Sequence, residues 1–203
     1  MRSSPKGNLR LGSNTIELLL PQRRPFLMVD FVESFHPGPV PTLDAGRHIT
    51  ANEVFFDGHF PGLHVWPGTL TLEGMGQSAT VLMMLLAIRS AVQDEGGDPE
   101  TALEALRNVE RGFRLHPGYR AEGAAAVVER LRSLHTVLAV GASAEVKFLK
   151  PVFAGQRLDY HVAITGDFGD KVRCEAEASV EGAAVAVAVL VGARLTRPFP
   201  PLR

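Results

Sequence analysis

Gly58-His59-Phe60-Pro61-Gly62, followed through Pro67-Gly68 by Thr69-Leu70-Thr71-Leu72-Glu73, is the stretch around which this 203-residue chain is organised. The first five residues put an imidazole in a Gly/Pro-rich turn. The second group opens an apolar run, Leu70 to Ile88, with a carboxylate one turn into it. A turn histidine and a glutamate near a helix start are what a proton-shuttling site needs, if the fold brings them together. Taken singly, such a histidine is usually structural, and such a glutamate usually serves the helix dipole or solvent. The two together, with these flanks, favour chemistry.

Outward from this stretch, residues 69–88 predict a helix that is apolar on nearly every side, and such a helix is normally enclosed by protein. Gly74, Gly76, Ser78 and Ala79 lower its intrinsic propensity but permit close approach of a sheet or partner helix. On the N-terminal side, residues 1–14 read as a loose leader. Ile16 to Leu20 is a short apolar segment stopped by Pro21, and Phe26 to Val32 reads as a strand. His36-Pro37-Gly38-Pro39 breaks it, and Ala45 to Thr50 returns beside it. In the C-terminal third, Leu158, Tyr160, Val162 and Ile164 alternate with Asp159, His161, Ala163 and Thr165. Val172 to Val180 alternates again, Glu181-Gly182 turns the chain, and Ala183 to Leu195 reads as a strand covered on both faces. Between helix and sheet, Asp98-Pro99 resembles an N-cap with proline in the first helical turn. It predicts a helix over Glu100–Arg111, with a second over Glu122–Leu134. The expectation is an α+β fold, one domain over residues 15–203 with an elaboration at 90–134.

Composition narrows the function classes. A formal charge of −1 gives no global pull toward nucleic acid or membrane, so an anionic partner needs a local basic patch. The single cysteine, Cys174, excludes an intrachain disulfide framework; its alternating context makes it a buried strand residue, not a nucleophile. The apolar run Val81–Ile88 has eight residues, against the roughly 18 or more of a membrane span. With no apolar core in Met1-Arg2-Ser3-Ser4-Pro5-Lys6, the expected location is cytoplasmic. His36, His48, His116, His135 and His161 have no metal-ligand spacing, and His64 reads as structural.

Three motifs resemble one family. Leu19-Leu20-Pro21-Gln22-Arg23-Arg24-Pro25-Phe26-Leu27-Met28-Val29-Asp30 comes first. Phe56-Asp57-Gly58-His59-Phe60-Pro61-Gly62 follows, with Pro67-Gly68, Glu73 and Gln77 behind it. Lys147-Phe148-Leu149-Lys150-Pro151-Val152-Phe153-Ala154-Gly155 is the third. In this order they resemble the FabZ-type 3-hydroxyacyl-(acyl carrier protein) dehydratases of the hotdog fold, across about residues 16–88 and 140–195.

The resemblance implies an antiparallel sheet wrapped around a central helix, a homodimer, and removal of water from a 3-hydroxyacyl thioester without a cofactor. The substrate would arrive on an acyl carrier protein, in fatty-acid or polyketide-like synthesis. It implies His59 as the base at C2 and Glu73 as the partner of the leaving hydroxyl, contributed by opposite subunits. Gly68 would offer its amide to the thioester oxygen, with glycine leaving room for the substrate, and Gln77 would orient Glu73. Trp66 stands where the family usually has methionine, and would line or plug the acyl pocket. Lys147, Lys150, Arg23, Arg24 and Arg157 are candidate contacts to an acidic carrier. The segment 90–134 is longer than the family's core. A hotdog thioesterase, a non-catalytic carrier-binding subunit and a two-component heteromeric dehydratase are the competing readings. Relatives that also isomerise the double bond usually carry aspartate at the position of Glu73.

Overall fold

The computed structural model describes residues 8–115, 129–130 and 139–194. In chain order these form β1 (Asn8–Gly12), α1 (Ser13–Leu19), β2 (Phe31–His36), β3 (Thr42–His48) and a single 3-10 turn at Val54–Asp57. Then follow α2 (Gly68–Asp94), α3 (Glu100–Leu115), β4 (Ala139–Phe148), β5 (Arg157–Asp167), β6 (Lys171–Val180) and β7 (Ala183–Arg194). The strands make one antiparallel sheet in the order β1-β2-β3-β5-β6-β7-β4. Its concave face wraps α2, which packs on β3, β5, β6 and β7.

Burial explains why an all-round apolar helix is stable here. Met75, Val81, Leu82 and Leu85 of α2 are buried in one cluster with Leu43, Ala45, Leu158, Tyr160, Val162 and Val172 from the sheet. Each fully buried aliphatic side chain contributes about 1.5–3 kcal/mol. The helix is long and apolar enough to cross a bilayer, but it serves as the core helix of this sheet. Gly74 is required by close approach: a Cβ there would lie 2.2 Å from the Tyr160 hydroxyl oxygen. The β6–β7 hairpin turns through Glu181 (φ 51°) and Gly182 (φ 77°), the two positive φ values of a two-residue hairpin loop.

Several expectations need correction. Residues 8–12, expected in a loose leader, form β1 on the edge of β2. Their pattern is short, and their anchor lies far along the chain. Glu110 of α3 accepts hydrogen bonds from the Gly12 amide (2.8 Å) and the Thr15 hydroxyl (2.6 Å), and the Arg107 guanidinium donates to the Asn8 carbonyl (3.2 Å). The first part of the 90–134 elaboration therefore belongs to the body of the fold. Its N-cap is as expected, with the Asp98 carboxylate accepting from the Glu100 amide at 3.0 Å. The helix expected at 122–134 lies outside the described residues, apart from 129–130, which are helical.

Phe26–Val32 is a strand only from Phe31; before it, side chains take the backbone groups that a neighbouring strand would have taken. The strand then runs through to His36, to the edge of the expected break. On β7 only Val185, Ala186 and Ala188 are buried, so cover on both faces is partial.

Candidate active site

The two expected catalytic residues sit on either side of the start of α2. His59 follows the 3-10 turn, and its amide donates to the Phe55 carbonyl at 3.0 Å. Its ring Nδ1 lies 2.8 Å from the Val65 carbonyl. A carbonyl can only accept, so Nδ1 carries the proton and Nε2 is left with a free lone pair, the form a general base needs. The Phe60 ring, half exposed, stacks on the imidazole with centroids 4.2 Å apart.

Glu73 is half-buried and one oxygen is already engaged: Oε1 accepts from Gln77 Nε2 at 2.9 Å. Gln77 is buried and fully used. Its Nε2 also donates to the Phe26 carbonyl (2.7 Å), and its Oε1 accepts from the Met28 amide (2.7 Å). The i, i+4 spacing expected to orient Glu73 does so, and the same side chain pins the segment leading into β2.

His59 and Glu73 line different cavities. Glu73 and Gln77 face one of about 620 Å³, closed by Leu72, Met83, Cys174 and residues 141–144 of β4. His59 faces another of about 510 Å³, with Trp66, Gly68, Thr71, Phe148 and Lys150. Among the described residues only Thr69 lines both. Within one chain the pair is not assembled. The two cavities lie along the same strand: residues 141–144 of β4 border the Glu73 cavity, and Phe148 at its end borders the His59 cavity. β4 is one of the two edge strands of the sheet among the described residues; from Gly141 to Phe148 all its residues are exposed except the half-buried Val146.

The other expected residues divide. Gly68 opens α2, and its amide has no acceptor among the described residues, so an N–H at the positive end of a long helix is available to an oxyanion. What fills the space beside its Cα is Phe148, whose ring lies 2.9 Å from where a Cβ would stand. Glycine here admits a neighbouring aromatic of the same chain. Trp66 is buried in the wall of the His59 cavity. Phe55 and Phe56 meet it edge-on, at 5.8 and 6.3 Å, and the Arg47 guanidinium sits 5.2 Å from its ring centre. His64 stacks on Phe56 at 4.9 Å, in keeping with a structural role.

Among the basic candidates, Arg157 is committed to Glu33 and Asp159 and stacks over Phe31, while Arg23 donates to the Leu20 and Gln22 carbonyls. Lys147 and Lys150 are exposed, without ion pairs among the described residues, and Lys150 is at the mouth of the His59 cavity. Cys174 is buried as expected, and burial pushes its thiol pKa up to about 11.

Fold and site together define a hotdog-fold protein with a histidine/glutamate pair divided between two cavities. The sequence matches the FabA-like domain over residues 20–111. It is 33% identical over 168 residues to the 3-hydroxyacyl-(acyl-carrier-protein) dehydratase FabZ of Myxococcus xanthus (strain DK1622), covering 83% of this chain and 81% of that relative. To the FabZ of Anaeromyxobacter sp. (strain Fw109-5) it is 34% identical over 173 residues, covering 85% and 83%. Among solved structures, the dehydratase heterocomplex ApeI:P from Xenorhabdus doucetiae superposes with a TM-score of 0.50 at 13% identity, covering 88% of this chain and 90% of that one. That likeness concerns the fold alone. The chain belongs to the FabZ family of dehydratases.

Proposed function

We propose that this protein removes water from 3-hydroxyacyl thioesters carried on acyl carrier protein, giving trans-2-enoyl thioesters, and that each active site is built by two copies of the chain. The observation that carries this reading is the placement of both cavities along the edge strand β4. In an antiparallel pair, residues early in one strand lie beside residues late in the other. Pairing β4 with its twofold copy turns the early residues of one strand, at the Glu73 cavity, toward the late residues of the other, at the His59 cavity. The Glu73 cavity of one copy then adjoins the His59 cavity of its partner. A C2 interface is self-complementary, so two such composite sites form at once.

The chemistry follows from the available atoms. His59 Nε2 takes a proton from C2, and the electrons move to the thioester oxygen, which the Gly68 amide and the α2 dipole stabilise. As the enolate collapses, the C3–O bond breaks. Glu73 supplies the proton with which the departing hydroxyl leaves as water. Gln77 holds Oε1 and so leaves Oε2 to carry that proton. A proton passes from His59 back to Glu73 through solvent and closes the cycle. No electron is gained or lost, so the reaction calls for no redox cofactor. Lys150 and Lys147, at the His59 cavity and the nearby strand end, have no ion pair among the described residues and suit an acidic carrier; Arg157 and Arg23 are already engaged. The setting is fatty-acid or polyketide-like synthesis.

The test is incubation with 3-hydroxyacyl-carrier thioesters of several chain lengths, with products followed by mass spectrometry. Loss of 18 mass units (one water) in the wild type, absent in His59→Ala and in Glu73→Gln, is expected. Free acid and thiol would make the protein a thioesterase. Intact substrate from a folded dimer would overturn the enzymatic reading.

A further inference from the structure

Arg47 is a buried arginine in β3 to which the mechanism gives no role. Its guanidinium has four partners. One NH2 group donates to Glu53 at 2.8 Å; the other donates to the Leu27 carbonyl and stands 3.7 Å from Asp30. Its Cζ lies over the Trp66 ring, 5.2 Å from the centroid. Only a planar cation with several fixed donors can stack and hydrogen-bond in this way, and lysine cannot reproduce it.

Two of these partners lead to His59. Glu53 precedes the 3-10 turn, and its carbonyl accepts from the Phe56 amide at 3.1 Å. Phe55, the residue before Phe56 in the same turn, accepts from the His59 amide. Trp66 follows Val65, whose carbonyl holds the imidazole Nδ1, and its own amide is fixed on the Val152 carbonyl at 2.8 Å. Arg47 thus grips the chain before His59 and again after it. The third partner leads to Glu73. Leu27 lies between Phe26 and Met28, the two residues whose backbone groups Gln77 holds while it orients Glu73. A run of direct contacts joins the supports of both groups through one guanidinium.

We infer that Arg47 is the positioning residue for both halves of the catalytic machinery, fixing the tautomer and place of His59 through Trp66 and Glu53, and the carboxylate of Glu73 through Leu27 and Gln77. The inference rests on the dehydratase reading. On that reading His59 and Glu73 of one chain serve different sites of the dimer, so Arg47 also makes the two sites share a support.

The variants are Arg47→Lys, which keeps the charge, and Arg47→Met combined with Glu53→Gln, which removes the charge without leaving Glu53 unpaired. Two readouts are taken on folded dimers. The first is the ¹⁵N spectrum of the His59 imidazole, which reports the tautomer and needs no activity. The second is steady-state kinetics on the carrier-bound substrate. The expected result is loss of the fixed Nδ1–H tautomer in both variants, with kcat reduced about 10- to 100-fold, the scale of a displacement near 1 Å, and KM changed little. A folded variant that keeps both the tautomer and kcat overturns the inference. A fixed tautomer in an inactive wild type counts against the dehydratase reading instead, and the ¹⁵N result for the variants still decides the role of Arg47.

Discussion

Replacing Gln77 with leucine separates packing from hydrogen bonding at the centre of the site. Leucine is close in size and suits a buried helical position, so the change removes polar partners and little volume. Three bonds are lost: from the Met28 amide, to the Phe26 carbonyl and to Glu73. The Met28 amide is buried and has no other acceptor among the described residues, which costs about 1–3 kcal/mol. The Phe26 carbonyl and Glu73 are only partly buried and recover part of their loss from water. The sum is about 2–4 kcal/mol, and for a chain of this size that lowers Tm by roughly 5–15 °C. Activity falls further than stability explains, because Glu73 is left unoriented: kcat drops about 100-fold. Gln77→Glu sharpens the test. It keeps an acceptor for the Met28 amide, but as a carboxylate it sets oxygen against the Phe26 carbonyl and Glu73 where the amide donated, so it regains neither stability nor turnover. Thermal unfolding and kinetics on the same preparations read both effects. If Gln77→Leu keeps its Tm within about 2 °C of the wild type and its full kcat, the reasoning fails.

Glu110 ties α3 to the N-terminal strand, and its contribution depends on pH. Burial alone would raise its pKa, but hydrogen bonds from the Thr15 hydroxyl, the Gly12 amide and Arg114 outweigh it and hold the carboxyl below its ordinary 4.5. A folded value below the unfolded one means the stabilisation is complete above about 4.5 and is lost as pH falls through the lower folded value. Glu110→Gln therefore costs about 2 kcal/mol in urea denaturation at pH 7, and the gap to the wild type closes in acid; a pH-independent gap would count against this. At α2, Gly74→Ala drives a methyl into the Tyr160 ring, 2.4 Å from Cζ, and is expected to cost about 3 kcal/mol or more. Gly76→Ala meets nothing within 4 Å and should gain about 1 kcal/mol from helix propensity; thermal melts with the same sign for both would contradict the packing described.

What the sequence made legible was local. His59 in its turn, Glu73 one turn into the helix and Gln77 four residues on are fixed by short-range geometry, and each stands where that geometry implies. The hairpin at Glu181-Gly182 and the strands around it were readable for the same reason, since alternation and turn chemistry are both local signals. Arg47 was not legible. An arginine in a polar strand end reads as a solvated residue, and only the folded chain brings Trp66, Glu53 and Leu27 to it. The segment before β2 misled because its apolar pattern is that of a strand, while its hydrogen bonds go to the side chains of Gln77 and Arg47. β1 was hidden by distance, because Glu110 and Arg107 are nearly a hundred residues away in the chain. The role expected of Gly68 was half visible. Its place at the helix start could be read, and the Phe148 ring against it could not.

The composite site is tested most directly by complementation between two inactive chains. His59→Ala and Glu73→Gln are each purified, then unfolded and refolded together, so that mixed dimers form. In a mixed dimer one site receives both substitutions, and the other receives the intact histidine of one chain and the intact glutamate of its partner. Random pairing then restores about a quarter of the wild-type sites. Dehydratase activity at about that level in the mixture, and in neither variant alone, is the predicted result. A mixture no more active than its two components would contradict a site shared between chains.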